Sequence, residues 1–143
     1  MTAKRQSAAQ LAASLRDALI RLNRRVRQSR PVDDLTATQL SALTSLELAG
    51  ALTPGELADI ERVRPPTMSK IVSKLEERGL VQRTPHPSDG RQVILAATPR
   101  GREVVAALDR VREEWLAQRL SELPAAEREI LRAAAEILRR LAS

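Results

Sequence analysis

Leucine and valine at positions 11, 15, 19, 22 and 26 recur at spacings of three and four. That period predicts one apolar helix face over about Ser7 to Gln28, with Arg16, Arg21, Arg24, Arg25 and Arg27 on the other side and Pro31 ending it. A second helix is expected from Thr36, where Thr36-x-x-Gln39 fits a reciprocal cap, with Leu40, Leu43 and Leu46 inside and Gly50 as the stop. A third, short helix opens at Thr53-Pro54-Gly55-Glu56 and ends near Glu61, with Leu57, Ala58 and Ile60 facing inward. A fourth begins at Pro65-Pro66, buries Met68, Ile71, Val72 and Leu75, and ends at a left-handed Gly79, after which Leu80 packs back.

The period then changes. Val81–Arg83 and Gln92–Leu95 read as two short strands around the turn residues Pro85, Pro87, Ser88, Asp89 and Gly90. Thr98-Pro99 caps a fifth helix, whose apolar positions Val104, Leu108, Val111 and Trp115 continue through Leu116 and Leu120. Pro124 starts a sixth, with Ile130, Ala134, Ile137, Leu138 and Leu141 on its apolar side. The predicted class is mainly α with a small β-hairpin. Three segments are expected within one continuous structural domain: 1–35 as an N-terminal dimerisation helix and linker, 36–97 as a central lobe, and 98–143 as C-terminal dimerisation helices.

Composition narrows the chemistry. The chain has 143 residues, 43% hydrophobic and 29% charged, which suffices for one folded core. No apolar run approaches the roughly 20 residues of a membrane span. Residues 1–6 show no leader, so a cytoplasmic protein is expected. With no cysteine and one histidine, His86, thiolate metal sites and multi-histidine sites are excluded, and no cofactor is expected. With no Phe or Tyr and one Trp, base-stacking sheets of the RNA-binding kind are disfavoured. His86, Ser88 and Asp89 share one proline-rich loop, a poor arrangement for a catalytic triad, so no enzyme is expected.

The net charge of +6 points to an anionic partner. Residues 1–31 alone carry +7, and the stretch from Arg62 to Arg91 carries +4. Twenty-one of the 24 basic residues are arginine, which, with abundant alanine, suggests a GC-rich bacterial genome.

Two short helices, a tight connection, a helix with a polar outer face and a hairpin form a winged helix-turn-helix. A major groove about 12 Å wide admits one α-helix. The outer face of the fourth helix offers Pro66, Thr67, Ser69, Lys70, Ser73 and Lys74 to bases or phosphates. That helix is also expected to present free N–H groups to phosphate at its start. The hairpin would be the wing, offering Arg83, His86, Asp89 and Arg91. There Arg91 enters a minor groove while Asp89 holds its guanidinium. Thr38, Arg62 and Arg64 are candidate phosphate contacts.

The run from Leu57-Ala58 through Pro66-Thr67-Met68-Ser69-Lys70-Ile71-Val72 to Leu75-Glu76-Glu77-Arg78-Gly79-Leu80-Val81 resembles the MarR family of bacterial transcriptional regulators. So do Asp89-Gly90-Arg91 and Thr98-Pro99-Arg100-Gly101, and the likeness covers essentially the whole chain. It departs from the family pattern at Arg64-Pro65-Pro66, where an arginine takes the place of a serine cap. The resemblance implies a homodimer with interlocked terminal helices that represses transcription from a pseudo-palindromic double-stranded DNA operator. It also implies release by a small lipophilic or phenolic effector. Leu11, Leu15, Leu19, Leu22, Leu116, Leu120, Ile130, Ile137, Leu138 and Leu141 are the expected dimer contacts, because one small lobe cannot cover three long amphipathic helices. The alternative reading is a winged-helix architectural or protein-interaction module without specific DNA binding.

Overall fold

Helix α1 (Ala8–Gln28) begins at a reciprocal cap: Ser7 Oγ accepts from the Gln10 N–H, and the Gln10 amide accepts from the Ser7 N–H. The same device opens α2 (Ala37–Ala49) through Thr36 and Gln39, and α3 (Pro54–Glu61) through Thr53 and Glu56. Helix α4 spans Pro65–Glu77, strand β1 Val81–Pro85, strand β2 Val93–Ala97, α5 Pro99–Ser121 and α6 Ala125–Ala142. The computed structural model describes residues 7–29 and 35–143. Pro31 and the segment 1–6 lie outside the described residues. No helix of the described residues is long and apolar enough to cross a membrane.

The chain forms two compact units, 31–109 and 1–30 with 110–143, so the division falls within α5. The first holds the whole core: Leu40, Leu43 and Leu46 of α2, Leu57 and Ala58 of α3, Met68, Ile71, Val72 and Leu75 of α4, and Leu80, Leu95, Val105 and Leu108. Two periods meet here as expected, the 3.6-residue rows of α2 and α4 and the alternation of β2. Ser45 Oγ donates to Glu61 Oε1 at 2.5 Å, tying α2 to the end of α3.

The strands pair antiparallel from Val81↔Ala97 to Pro85↔Val93, and Leu52 adds one further bridge to Leu95. Both strands run to later residues than the pattern predicted. Thr84 and Pro85 extend β1 because the proline, at the strand end, is not needed as a ladder donor. Gln92 belongs to the turn instead, its N–H donating to the Asp89 carbonyl.

Two core expectations need correction. Ile60 is 53% exposed, because an eight-residue helix packed on α2 and α4 buries only Leu57 and Ala58. In α5 the buried positions are Gly101, Val105 and Leu108, while Val104 is partly covered. The inward row is therefore turned by one residue from the expected Val104–Leu108 stripe at its start.

The reason is a tight junction. Thr98 Oγ1 donates to the Gly79 carbonyl at 2.5 Å and accepts from the Gly101 N–H at 3.1 Å, and the Thr98 N–H donates to the Leu80 carbonyl. This draws the first turn of α5 against the end of α4. A Cβ on Gly101 would overlap the Leu80 carbonyl oxygen and stand 3.2 Å from Leu43 Cδ1. Gly79 holds φ at +69°, the left-handed turn expected after α4.

The second unit is different. Every described residue in 7–29 and 110–143 is at least partly exposed. Leu11, Leu19 and Leu22 of α1 and Ile130, Ile137 and Leu141 of α6 are each more than 40% exposed. Trp115 is half-buried, with the Arg119 guanidinium 5.6 Å from its ring centroid.

Candidate nucleic-acid interface

The site is built from α3, the turn after it, α4 and the hairpin. The turn is made by Arg62, which takes a left-handed conformation (φ +53°), while the Val63 N–H reaches the Ala58 carbonyl at 3.0 Å. That bond pattern satisfies the carbonyls at the end of α3 and redirects the chain into α4 within three residues. A left-handed arginine costs roughly 1–2 kcal/mol. Nothing in the residue type announces this conformation.

Helix α4 divides cleanly. Met68, Ile71, Val72 and Leu75 are buried. Pro66, Thr67, Ser69, Lys70, Ser73 and Lys74 are all exposed. Lys74 Nζ pairs with Glu77 at 3.2 Å. The side chains of Thr67, Ser69, Lys70 and Ser73 have no hydrogen-bond or ion partner among the described residues. The start of α4 differs from expectation. Pro65 and Pro66 carry no N–H, and the Met68 N–H donates to the Arg64 carbonyl, leaving the Thr67 N–H as the free donor of the first turn. Arg64 holds the cap position with no side-chain cap bond. The charge available at this helix start is therefore the Arg64 guanidinium rather than a full set of helix N–H groups.

The hairpin brings its candidates to one end of the lobe but gives three of them other partners. Arg83 Nε donates to Glu76 Oε1 at 2.7 Å, tying β1 to α4. Asp89 Oδ1 accepts from the Arg91 backbone N–H at 3.1 Å, not from its guanidinium as expected; the carboxylate reaches only two residues on and closes the turn. His86 is half-buried, and its Nδ1 lies 3.2 Å from the backbone nitrogens of Ser88 and Asp89. Arg91 is exposed beside this turn. Thr38 lies on the first turn of α2, its hydroxyl 3.2 Å from Thr36 Oγ1.

Among the described residues no group of three or more His, Asp or Glu is placed to hold a metal ion.

The family model for MarR matches residues 35–93, the span that carries these elements. An HTH-type transcriptional regulator of Mycobacterium tuberculosis is 48% identical over 132 residues, covering 92% of each chain. The chain belongs to the MarR family. The multiple antibiotic resistance protein MarR of Salmonella typhimurium is 37% identical over 68 residues, 48% of this chain and 47% of that one. Among solved structures, the transcriptional regulator Tm0710 of Thermotoga maritima superposes with a TM-score of 0.79 at 25% identity, covering 92% of both chains. As a MarR family member the protein is a winged helix-turn-helix transcriptional regulator, not an enzyme. Its wing is β1, β2 and the turn between them, and α4 is the second helix of its helix-turn-helix.

Proposed function

We propose that this MarR family protein is a cytoplasmic, homodimeric repressor. In this reading α4 and the wing dock on a pseudo-palindromic operator in double-stranded DNA. One observation supports the DNA surface above the others: an unpartnered row of hydroxyls and Lys70 stands directly opposite the fully buried row of α4. Side chains held by folding contacts would show a partner or burial; these four are exposed and unpartnered. Thr67, Ser69, Ser73 and Lys70 are suited to base edges and phosphates, and Pro66 to apolar contact with thymine methyls. Arg91 is suited to a narrow minor groove. Arg62 and Arg64 add charge to the phosphate track, with Thr38 at the start of α2.

Dimerisation is supported by the second unit. Leu11, Leu15, Leu19, Leu22, Leu116, Leu120, Ile130, Ile137, Leu138 and Leu141 lie on three helices without one fully buried side chain in this unit. Isolated helices of this length are marginal in water, and their stability normally comes from packing an apolar face. A twofold partner supplies that packing and sets two recognition helices about 34–36 Å apart, one turn of DNA. Release by a small lipophilic or phenolic effector completes the proposal. It requires an effector that binds the DNA-incompetent geometry more tightly than the competent one.

The test is Lys70→Ala across a salt series. Lys70 is exposed and unpartnered, so folding is unaffected. Operator affinity falls, and the slope of log K against log salt becomes shallower by about one for each phosphate that Lys70 neutralises. Unchanged affinity and slope would remove Lys70, and with it this face of α4, from the interface.

A further inference from the structure

We infer that His86 is a positioning residue that sets the shape of the wing tip and so the placement of Arg91, without itself touching DNA. The inference rests on the wing reading above.

The hairpin ladder ends at Pro85↔Val93, and the seven residues from His86 to Gln92 make the tip. Two backbone bonds close it, from the His86 N–H to the Gln92 carbonyl at 3.0 Å and from the Gln92 N–H to the Asp89 carbonyl at 3.1 Å. Inside that frame the Ser88 and Asp89 N–H groups point inward at one acceptor. That acceptor is His86 Nδ1, 3.2 Å from each, with the Ser88 hydroxyl also at 3.2 Å. Asp89 in turn accepts from the Arg91 N–H at 3.1 Å. A chain of side chain-to-backbone bonds thus runs from the imidazole to the residue offered to DNA.

The residue is also partly covered. It is half-buried and lines an open hollow of about 220 Å³ with Leu52, Thr53, Glu56 and Ile94. Leu52 bridges Leu95, and Glu56 is held by the cap of α3. His86 therefore shares this hollow with residues of the lobe, and is less exposed than the rest of the wing tip. Nδ1 accepts only through its lone pair, so in this arrangement the ring's proton sits on Nε2. A ring engaged this way holds the turn through Nδ1 instead of offering that nitrogen to phosphate. Pro87 and Gly90 leave few other groups in the tip able to hold it.

The test uses the full chain and its operator duplex. Asparagine places an amide oxygen close to the position of Nδ1; glutamine places it near Nε2. His86→Ala and His86→Gln are expected to weaken operator binding about tenfold, and His86→Asn to restore it to within about threefold. In an Arg91→Ala background His86→Ala should change affinity less than about twofold, because nothing remains to be positioned. Amide exchange at Ser88 and Asp89 should quicken in His86→Ala and not in His86→Asn, with or without DNA. Additive losses from His86→Ala and Arg91→Ala, or an asparagine variant as weak as alanine, would overturn the inference while leaving the wing as a DNA contact. An Arg91→Ala protein that binds like wild type would overturn both the inference and the wing reading.

Discussion

Leu22→Asp combined with Ile137→Asp is expected to leave a protein of one-chain mass, 15.8 kDa, where the wild type weighs twice that at micromolar concentration. Both positions carry large apolar side chains, 45% and 49% exposed, on helices with no buried residue. In a twofold interface each substitution counts twice, placing four carboxylates in an apolar seam. Each apolar side chain removed forfeits about 1.5–3 kcal/mol, and an unpaired buried charge costs more. The sum exceeds what holds an obligate dimer of roughly 2,000 Å² interface together at micromolar concentration. Operator affinity should drop by more than about a hundredfold, since the second lobe no longer binds at high effective concentration. Light scattering or sedimentation reads the mass. A double variant that remains dimeric would move the interface elsewhere, and a wild type of one-chain mass would contradict dimerisation outright.

Gly101→Val is expected to lower the unfolding free energy by about 2–4 kcal/mol and the melting temperature by about 10 °C. The cause is steric and lies in the backbone. The new Cβ would overlap the Leu80 carbonyl oxygen, and that oxygen is fixed because it accepts from the Thr98 N–H. Relief requires α5 to move away from the end of α4, which loosens the Thr98 bonds and opens the core around Leu43. Gly90→Ala is the control. No atom lies within 4 Å of its added methyl and its φ is not positive, so its melting temperature should match or slightly exceed wild type. Both proteins are compared at equal chain concentration, because dimerisation contributes to apparent stability. A Gly101→Val protein that melts with wild type would mean the α4–α5 junction is looser than its hydrogen bonds imply.

Much of the lobe was legible in the sequence because its signals are local. The caps at Thr36 and Thr53 are each written in four consecutive residues, and both formed as expected. The buried row of α4 followed from spacing alone, since thirteen residues give the helical period time to declare itself. Helix α3, at eight residues, does not, and there Ile60 was misplaced. What the pattern could not show is long-range or conformational. Gly101 is demanded by a carbonyl 21 residues earlier in the chain. Arg62 adopts a left-handed turn that glycine or asparagine would have signalled. The bond from Asp89 to the Arg91 backbone, and the pair of N–H groups on His86, depend on how one turn closes. Spacing put Asp89 beside Arg91 correctly, but assigned it the guanidinium where the structure has the backbone N–H.

The most direct test of the account is binding of the purified protein to the DNA upstream of its own coding sequence, against a scrambled duplex of equal length, from about 50 to 200 mM salt. A MarR family repressor working through α4 and the wing should prefer the upstream duplex by at least about a thousandfold, with affinity falling steeply as salt rises. Weak, equal binding to both duplexes with little salt dependence would contradict it, and would make the winged fold a module for partners other than DNA.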